Sequence, residues 1–331
     1  MDILVEEVNP RIIINSCSRN SIQFEIHGVD ISYVNGLRRA VLNELQTLAI
    51  DECVFNRNES VLSDEFIAHR LGLVPIYTDD LDCVQEQRAC ACNRGCKKCT
   101  VTAEIDVTND TDEPMMVTDK HIQVAKDMLP TRPNGDTLRC LPLVDVDSSL
   151  DAIPIIKLNP GASLHVDLTI RKGRGKVHAK WCPVSKCVAK PVPIIVFDDA
   201  GLEYLEDFRP YAQHFVDTVC PKGLFELTLD GRVTLPPENL RDCVLCGECE
   251  RFSKDELPSG VHDAPALPDT LNACYIRTSR TAFLIDIESI GTIPAPDIFK
   301  MAKSVLHREY LVPVQAAIQQ MTHDAEGFDG L

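Results

Sequence analysis

Positive charge is scarce in this chain. Lys and Arg number 33 against 50 Asp and Glu, a net charge of −17. That balance argues against a freestanding nucleic-acid-binding protein and otherwise serves solubility. Long apolar runs are missing as well: no stretch reaches the ~20 residues that a membrane span needs. The start, MDILVEEVNP, has neither a basic opening nor an apolar signal core. The expectation is therefore an intracellular protein, cytosolic or nuclear, with no membrane contact. The glycosylation-type triplets at Asn58 and Asn109 then carry no meaning. Aromatics are few, 5% of the chain, and Trp181 is the single tryptophan. Hydrophobic content is ordinary at 44%, so 331 residues can bury a real core and hold about two or three domains.

Cysteine is plentiful. Fifteen in a reducing compartment seldom make a disulfide framework. Cys17, Cys53, Cys83, Cys140, Cys182, Cys187 and Cys274 are scattered and read as small core residues. The other eight fall into two groups with ligand-like spacing.

The first is Cys90-Ala-Cys92-Asn-Arg-Gly-Cys96-Lys-Lys-Cys99, or C-x-C-x3-C-x2-C. Bonds of ~2.3 Å draw four thiolates around one Zn²⁺, and such closely spaced ligands need only a tight loop. Gly95 permits the bend. Four thiolates on Zn²⁺ leave a net −2, which Arg88, Arg94, Lys97 and Lys98 offset. A closed set of four has no open position for water, so the site is expected to be structural.

The second group is Cys243-x2-Cys246-x2-Cys249, with Cys220 followed by Pro221. In ferredoxin-like modules such a run supplies three ligands to a [4Fe–4S] cluster, and a Cys-Pro elsewhere supplies the fourth. Between the two parts, Asp230-Gly231 marks a hairpin turn. One cluster, a second zinc, and unliganded thiols all remain open readings.

The stretch 35–75 opens with an amphipathic helix over 33–47. Val34, Leu37, Val41, Leu42, Leu45 and Ala49 recur at three- and four-residue steps on one face. A short helix over 64–71 follows, with Asp64 as its cap. His69 lies in it without a nucleophile or carboxylate cluster, so no catalytic role is assigned to it or to any other residue. Residues 10–29 read as two strands joined at Ser18-Arg-Asn20, and Leu164, Val166, Leu168 and Ile170 alternate as one buried strand face. Segment 108–145 reads as an irregular insert. Arg171 to Lys176 is basic and glycine-rich but lacks the GK[ST] ending, which leaves an exposed loop rather than a phosphate cradle. Residues 255–270 have the composition of a linker. Two strands follow at 273–278 and 281–291. A C-terminal helix capped by Asp297 carries Ile298, Met301, Ala302, Val305 and Leu306, and Pro313 kinks or restarts it.

NGLRRAVLNELQTLAID at 35–51, SVLSDEFIAHRLGLVPI at 60–76, the G-x-G-K-x-HAKW string from Gly173 to Trp181 and Glu288-Ser-Ile-Gly291 resemble a known family. It is that of the third-largest subunit of eukaryotic RNA polymerase II. More distantly it includes the archaeal counterpart of that subunit, the subunit shared by polymerases I and III, and the N-terminal domain of bacterial alpha. The family resemblance agrees with a zinc loop at Cys90–Cys99. Some archaeal members carry a cluster-bearing module like the second group, whereas familiar polymerase II subunits have lost its cysteines.

The resemblance implies an α+β fold in which an alpha-subunit-like dimerisation domain is split by insertions. Residues 1–50 and 271–325 would form that domain, 51–185 a β-rich insert with the zinc loop at 88–100, 200–262 a ferredoxin-like module, and 326–331 a flexible tail. It implies a nuclear, non-catalytic assembly subunit of DNA-directed RNA polymerase II, which touches DNA and RNA only indirectly. A smaller alpha-like subunit would pair with it through Leu37, Arg38, Val41, Leu45, Ile298, Met301 and Val305. The two large subunits and small assembly subunits would join that pair. The alternatives are the subunit shared by polymerases I and III, or an iron–sulfur redox protein. The apolar stripes themselves admit two occupants, the chain's own sheet or a partner.

Overall fold

The computed structural model describes residues 10–92, 95–132, 135–147, 149–207, 209–237, 239–251 and 274–326. Arg94, Ala273, the stretch 255–270 and the tail 327–331 lie outside them. The chain forms two compact units. One comprises Ile14–Phe24, Ser32–Val188 and Asp286–Leu331; the other comprises Met1–Ile13, Glu25–Ile31 and Ala189–Ile285. Strands β1 (Arg11–Cys17), β2 (Ser21–His27), β14 (Cys274–Ser289) and β11 (Val184–Phe197) hydrogen-bond in the order β1-β2-β14-β11. The two strands expected over 273–291 are one long strand, because nothing between them breaks the ladder.

The larger unit is built on β10 (Ser163–Arg174). It pairs antiparallel with β3 (Gln46–Asn58) and β5 (Thr100–Thr108), and β7 (Gln123–Val124) completes the order β3-β10-β5-β7. Leu164, Val166, Leu168 and Ile170 all point inward and are buried, as the alternation predicts. They meet Val101, Ile105, Ile50 and, from the helix over 64–72, Ile67 and Leu71 in one core. Each such side chain contributes about 1.5–3 kcal/mol by leaving water. Two short ladders flank it, β4 (Ile76–Thr78) with β8 (Cys140–Pro142) and β6 (Met115–Thr118) with β9 (Pro154–Leu158). Segment 108–145 is thus more regular than its composition suggests.

One carboxylate pins the end of the β3–β10 ladder. Glu59 accepts from the Ser163 amide at 2.9 Å, from the Ser163 hydroxyl at 2.7 Å and from Arg57 at 2.7 Å. The Ser163 hydroxyl, then Arg57 and the Ser163 amide, lower its pKa from 4.5 to about 2. A depressed folded-state value means the stabilisation is fully present above about 4.5 and is lost as pH falls toward about 2. Glu59→Gln is expected to flatten the acid limb of the unfolding curve in that window. An unchanged limb would remove Glu59 from the acid response.

Helix α1 (Ile31–Arg39) continues through a wide π turn at Ala40–Glu44 and stops at the extended residue Leu45. The helix is therefore shorter than the 33–47 that spacing suggests. Ala49 belongs to β3, and its burial comes from the sheet. The helix end is satisfied by the chain returning from β10, since the Lys176 amide donates to the Asn43 carbonyl at 3.0 Å. Helix α2 (Asp64–Gly72) has Ser63 at its cap position, and Asp64 sits in the first turn and accepts from Asn58. Asp297 is likewise not a cap. Helix α6 (Ala295–Val305) starts behind Pro294, and Asp297 pairs with Lys300 at 2.9 Å. Phe24 of β2 packs edge-on against Phe299 at 4.7 Å, and the Ala295 amide donates to the Arg19 carbonyl. A second π turn, Leu306–Leu311, leads into α7 (Val312–Glu326). The wide turn precedes Pro313, whose missing N–H removes one ladder bond, so the helix carries on past the proline.

In the smaller unit, α3 (Asp199–Asp207), α4 (Arg209–His214) and a π turn at Phe215–Val219 precede the hairpin β12 (Glu226–Leu227) and β13 (Val233–Thr234). Gly231 takes φ +83 at the hairpin turn, as Asp-Gly predicts. Short helix α5 (Glu248–Arg251) follows. Phe215 and Phe225 meet at 5.0 Å in a core with Ala212, Val219 and Val233.

Candidate metal centre and assembly surface

The loop before β5 gathers four sulfurs. A 3₁₀ turn at Gln87–Ala89 delivers Cys90, and Gly95 then takes φ +106. A Cβ at Gly95 would lie 2.9 Å from Thr100 Cγ2, so both the dihedral and the space require glycine. The Cys99 and Thr100 amides both donate to the Cys96 carbonyl, at 2.9 and 3.0 Å, which turns the last cysteine back on the third. The Sγ separations are 3.6 Å for Cys90–Cys96, 3.3 Å for Cys92–Cys99 and 3.9 Å for Cys96–Cys99. All four ligand atoms lie within 4.8 Å of one another. A tetrahedral ion with bonds of ~2.3 Å spaces its thiolates about 3.8 Å apart. The four cysteines could therefore hold one thiophilic metal ion such as zinc.

Hydrogen bonding and burial move the thiols of the loop in opposite directions. The Lys98 amide and the Cys90 thiol draw the Cys96 thiol down to about 7, while burial and the neighbouring Cys92 push Cys99 up to about 12. A bound cation reverses the second effect, because a coordinating thiol is deprotonated outright. Arg88, Lys97 and Lys98 are exposed around the loop. Lys97 reaches the Asp127 carbonyl at 2.8 Å and moors the loop to the insert.

Cys220, Cys243, Cys246 and Cys249 all line one small cavity of about 10 Å³ with Ile195, Pro221, Phe225 and Ile276. Among the described residues, no three of these sulfurs come within 4.8 Å of one another, so the spacing is wider than a single zinc imposes. Cys243 and Cys249 are buried, Cys220 half-buried and Cys246 exposed. Leu245 takes φ 58, the one non-glycine residue with positive φ among those described, and its amide turns toward the Cys243 sulfur. Lys190 ties the loop down by donating to the Arg241 and Cys243 carbonyls at 2.7 and 3.0 Å. Cys274, one of the scattered cysteines, is fully buried and its thiol donates to the Cys249 carbonyl at 3.6 Å. Its distance in sequence hides it; the cysteine at the start of a strand was the available signal.

The residues expected at an interface divide. Leu37, Val41, Leu45 and Ile298 are buried within the chain, Arg38, Met301 and Val305 are half-buried, and Arg38 donates to Asn35. The exposed apolar side chains lie further along, at Tyr310, Leu311, Val312, Val314 and Ile318, which are 40–56% exposed. Leu311, Val314 and Ile318 recur at helical steps and form one stripe. Arg174, at the end of β10, braces this helix from behind. It reaches Glu309 at 2.8 Å, Glu86 at 3.2 Å and Glu44 at 3.4 Å. Glu309 and Glu86 hold its pKa above the ordinary arginine value. The basic segment 171–174 is strand, not exposed loop, because Gly173 packs under Trp181. The cavity beside it, about 610 Å³, is lined by both signs of charge: Arg174 pairs there with Glu44 and Glu86, and Arg171 with Asp51, while Arg88, Lys172 and Lys176 add further basic groups. His69 is exposed on α2.

The mixed α/β fold contains an insert of the kind found in alpha-like polymerase subunits. The family model described as the RNA polymerase Rpb3/RpoA insert domain matches residues 32–185. DNA-directed RNA polymerase II subunit rpb3 of Dictyostelium discoideum is 31% identical over 91% of this chain and 92% of its own length. DNA-directed RNA polymerases II, IV and V subunit 3 of Arabidopsis thaliana is 33% identical over 91% and 89%. DNA-directed RNA polymerase subunit Rpo3 of Methanosphaera stadtmanae is 28% identical over 86% and 89%. The chain belongs to the RNA polymerase Rpb3/RpoA family.

Proposed function

We propose that this chain is a nuclear, non-catalytic assembly subunit of DNA-directed RNA polymerase II. It pairs with a smaller alpha-like subunit to form the platform on which the two large catalytic subunits and small assembly subunits gather. The observation that carries this reading is the exposed apolar stripe through Leu311 and Val314 on a helix braced by Arg174. Solvated apolar stripes of this kind mark a surface completed by another chain. Residues 1–50 and 271–325 act as the dimerisation domain, 51–185 as the insert and 200–262 as a ferredoxin-like module. Zn²⁺ on Cys90, Cys92, Cys96 and Cys99 braces the insert.

The test is co-expression with the smaller subunit. Leu311→Asp and Val314→Asp are expected to weaken pairing by more than about thirtyfold, the loss typical of a central apolar anchor. Zinc content and helicity of the chain should stay the same, since both residues are exposed. Full pairing in both variants sinks the assignment of this surface.

For the second cysteine group the reading is one structural [4Fe–4S] cluster on Cys220, Cys243, Cys246 and Cys249. Its support is the C-x2-C-x2-C run with a Cys-Pro and the cavity that the four thiols share. The cavity is small, so the exposed Cys246 is the ligand that must rotate to admit a cluster. When bound, the cluster would brace the module. Anaerobically prepared protein is expected to contain about four iron and one zinc per chain with a band near ~400 nm. Zinc without iron or that band ends the cluster reading and leaves the polymerase reading intact.

A further inference from the structure

The outer face of the β3-β10-β5-β7 sheet carries a second set of convergent donors, of harder chemistry than thiolate. His165 and Asp167 are two residues apart on β10 and share a face. Glu104 on β5 is the cross-strand partner of Asp167, and Asp106 is the partner of His165. One ligand atom from each of Glu104, His165 and Asp167 lies within 4.8 Å of the other two. Like charges directly opposite each other weaken an antiparallel pair. Among the described residues, no lysine or arginine pairs with Glu104, Asp106 or Asp167 to relieve this.

The geometry has the marks of a ligand set. His165 Nε2 stands 3.7 Å from Asp167 Oδ1. That is too long for a hydrogen bond. It is close to the ~3.4 Å between two ligands of one tetrahedral ion with bonds of ~2.1 Å. The other oxygen, Oδ2, accepts from Asn56 Nδ2 of β3 at 2.7 Å. Outer partners of this kind orient a ligating carboxylate. The donors stand on two paired strands, and Asn56 on a third, so their positions are set by the ladder rather than by a loop.

The geometry points to a divalent-cation site formed by Glu104, His165 and Asp167, with water in its remaining positions. One imidazole and two carboxylates suit a first-row ion of the Mn²⁺ or Zn²⁺ kind. The ion offsets the Glu104–Asp167 repulsion and cross-links β5 to β10. The site is separate in chemistry and place from the four-cysteine loop.

Mn²⁺ alone is the probe, because thiolates are poor ligands for it. The intact chain within its purified complex is titrated and bound Mn²⁺ is followed by electron paramagnetic resonance. Comparing wild type with single variants of this chain removes any contribution from other subunits. Wild type is expected to bind one more equivalent than His165→Asn or Asp167→Asn. Its pulsed spectrum should show a nitrogen coupling that His165→Asn abolishes. Asn56→Ala should weaken binding roughly tenfold, the usual effect of losing an outer partner. Equal stoichiometry and affinity in wild type and the ligand variants, or bound Mn²⁺ without nitrogen coupling, overturns the site.

Discussion

Cys99→Ser is expected to release the metal from the four-cysteine loop and to unfold the loop with it. Cys99 is fully buried, closes against Cys92 at 3.3 Å and Cys96 at 3.9 Å, and is followed directly by β5. The loop carries little apolar burial of its own: Cys90, Cys92 and Cys96 are half-buried and Lys97 and Lys98 exposed. An ion on the four thiols would therefore supply much of its order. Structural zinc contributes about 10–16 kcal/mol of apparent binding energy in small zinc domains, and that binding energy is folding energy. A serine hydroxyl does not replace a thiolate, so several of those kcal/mol are lost. Zinc should fall from about one per chain to near none, and the insert should unfold at lower temperature. Cys17→Ser is the control, since Cys17 is exposed and outside both groups. Retention of a full zinc equivalent by Cys99→Ser would exclude Cys99 as a ligand. A chelator should reproduce the loss in wild type and add little in the variant.

The second large effect belongs to glycine packing. A Cβ at Gly175 would stand 2.1 Å from the Leu42 carbonyl oxygen and 3.2 Å from its carbon. Both are backbone atoms of the π turn that follows α1, so nothing there swings aside as a side chain could. Gly175→Ala is expected to cost about 3 kcal/mol, the upper end of ordinary overpacking. The damage should reach the end of the first helix, because the chain after β10 also satisfies the Asn43 carbonyl through the Lys176 amide. Gly173→Ala should behave similarly, with its Cβ 2.3 Å from the Trp181 ring. That ring is held on the other side: its Nε1 donates to the Arg171 carbonyl at 3.1 Å, and Lys180 lies 4.4 Å from its centroid. Gly36→Ala is the contrast. Its Cβ meets only Leu306 at 3.8 Å, within a helix, so that change should be neutral or stabilise by up to about 1 kcal/mol. Equal stability of Gly175→Ala and wild type in chemical denaturation would show that the close approach is not needed.

Some of this could be read before any fold was known. The four-cysteine loop is legible because its cysteines lie within ten residues, so sequence spacing is nearly spatial spacing. The β10 alternation and the Asp230-Gly231 turn are legible for the same reason, since each is decided by neighbours in the chain. Helix limits were less so. The stop at Leu45 depends on Gly175 and Lys176, over a hundred residues away. The caps expected at Asp64 and Asp297 moved to Ser63 and Pro294, because each aspartate found another partner.

The proposed assembly surface shows the division best. The sequence by itself determined that two amphipathic helices exist and which positions are apolar, because helical periodicity is local. It also determined the family, through strings such as NGLRRAVLNELQ and HAKW, and the likeness to rpb3 and Rpo3 relatives agrees. Only the tertiary structure decided which apolar positions the chain covers itself. Leu37, Val41 and Ile298 are spent inside, while Leu311 and Val314 are left to solvent. Only tertiary structure placed Cys274 beside Cys249, Arg174 among Glu44, Glu86 and Glu309, and Glu104 opposite Asp167. The physical reason is common to all of them. Periodicity reports what one element offers, whereas burial and charge pairing depend on what arrives from elsewhere in the chain.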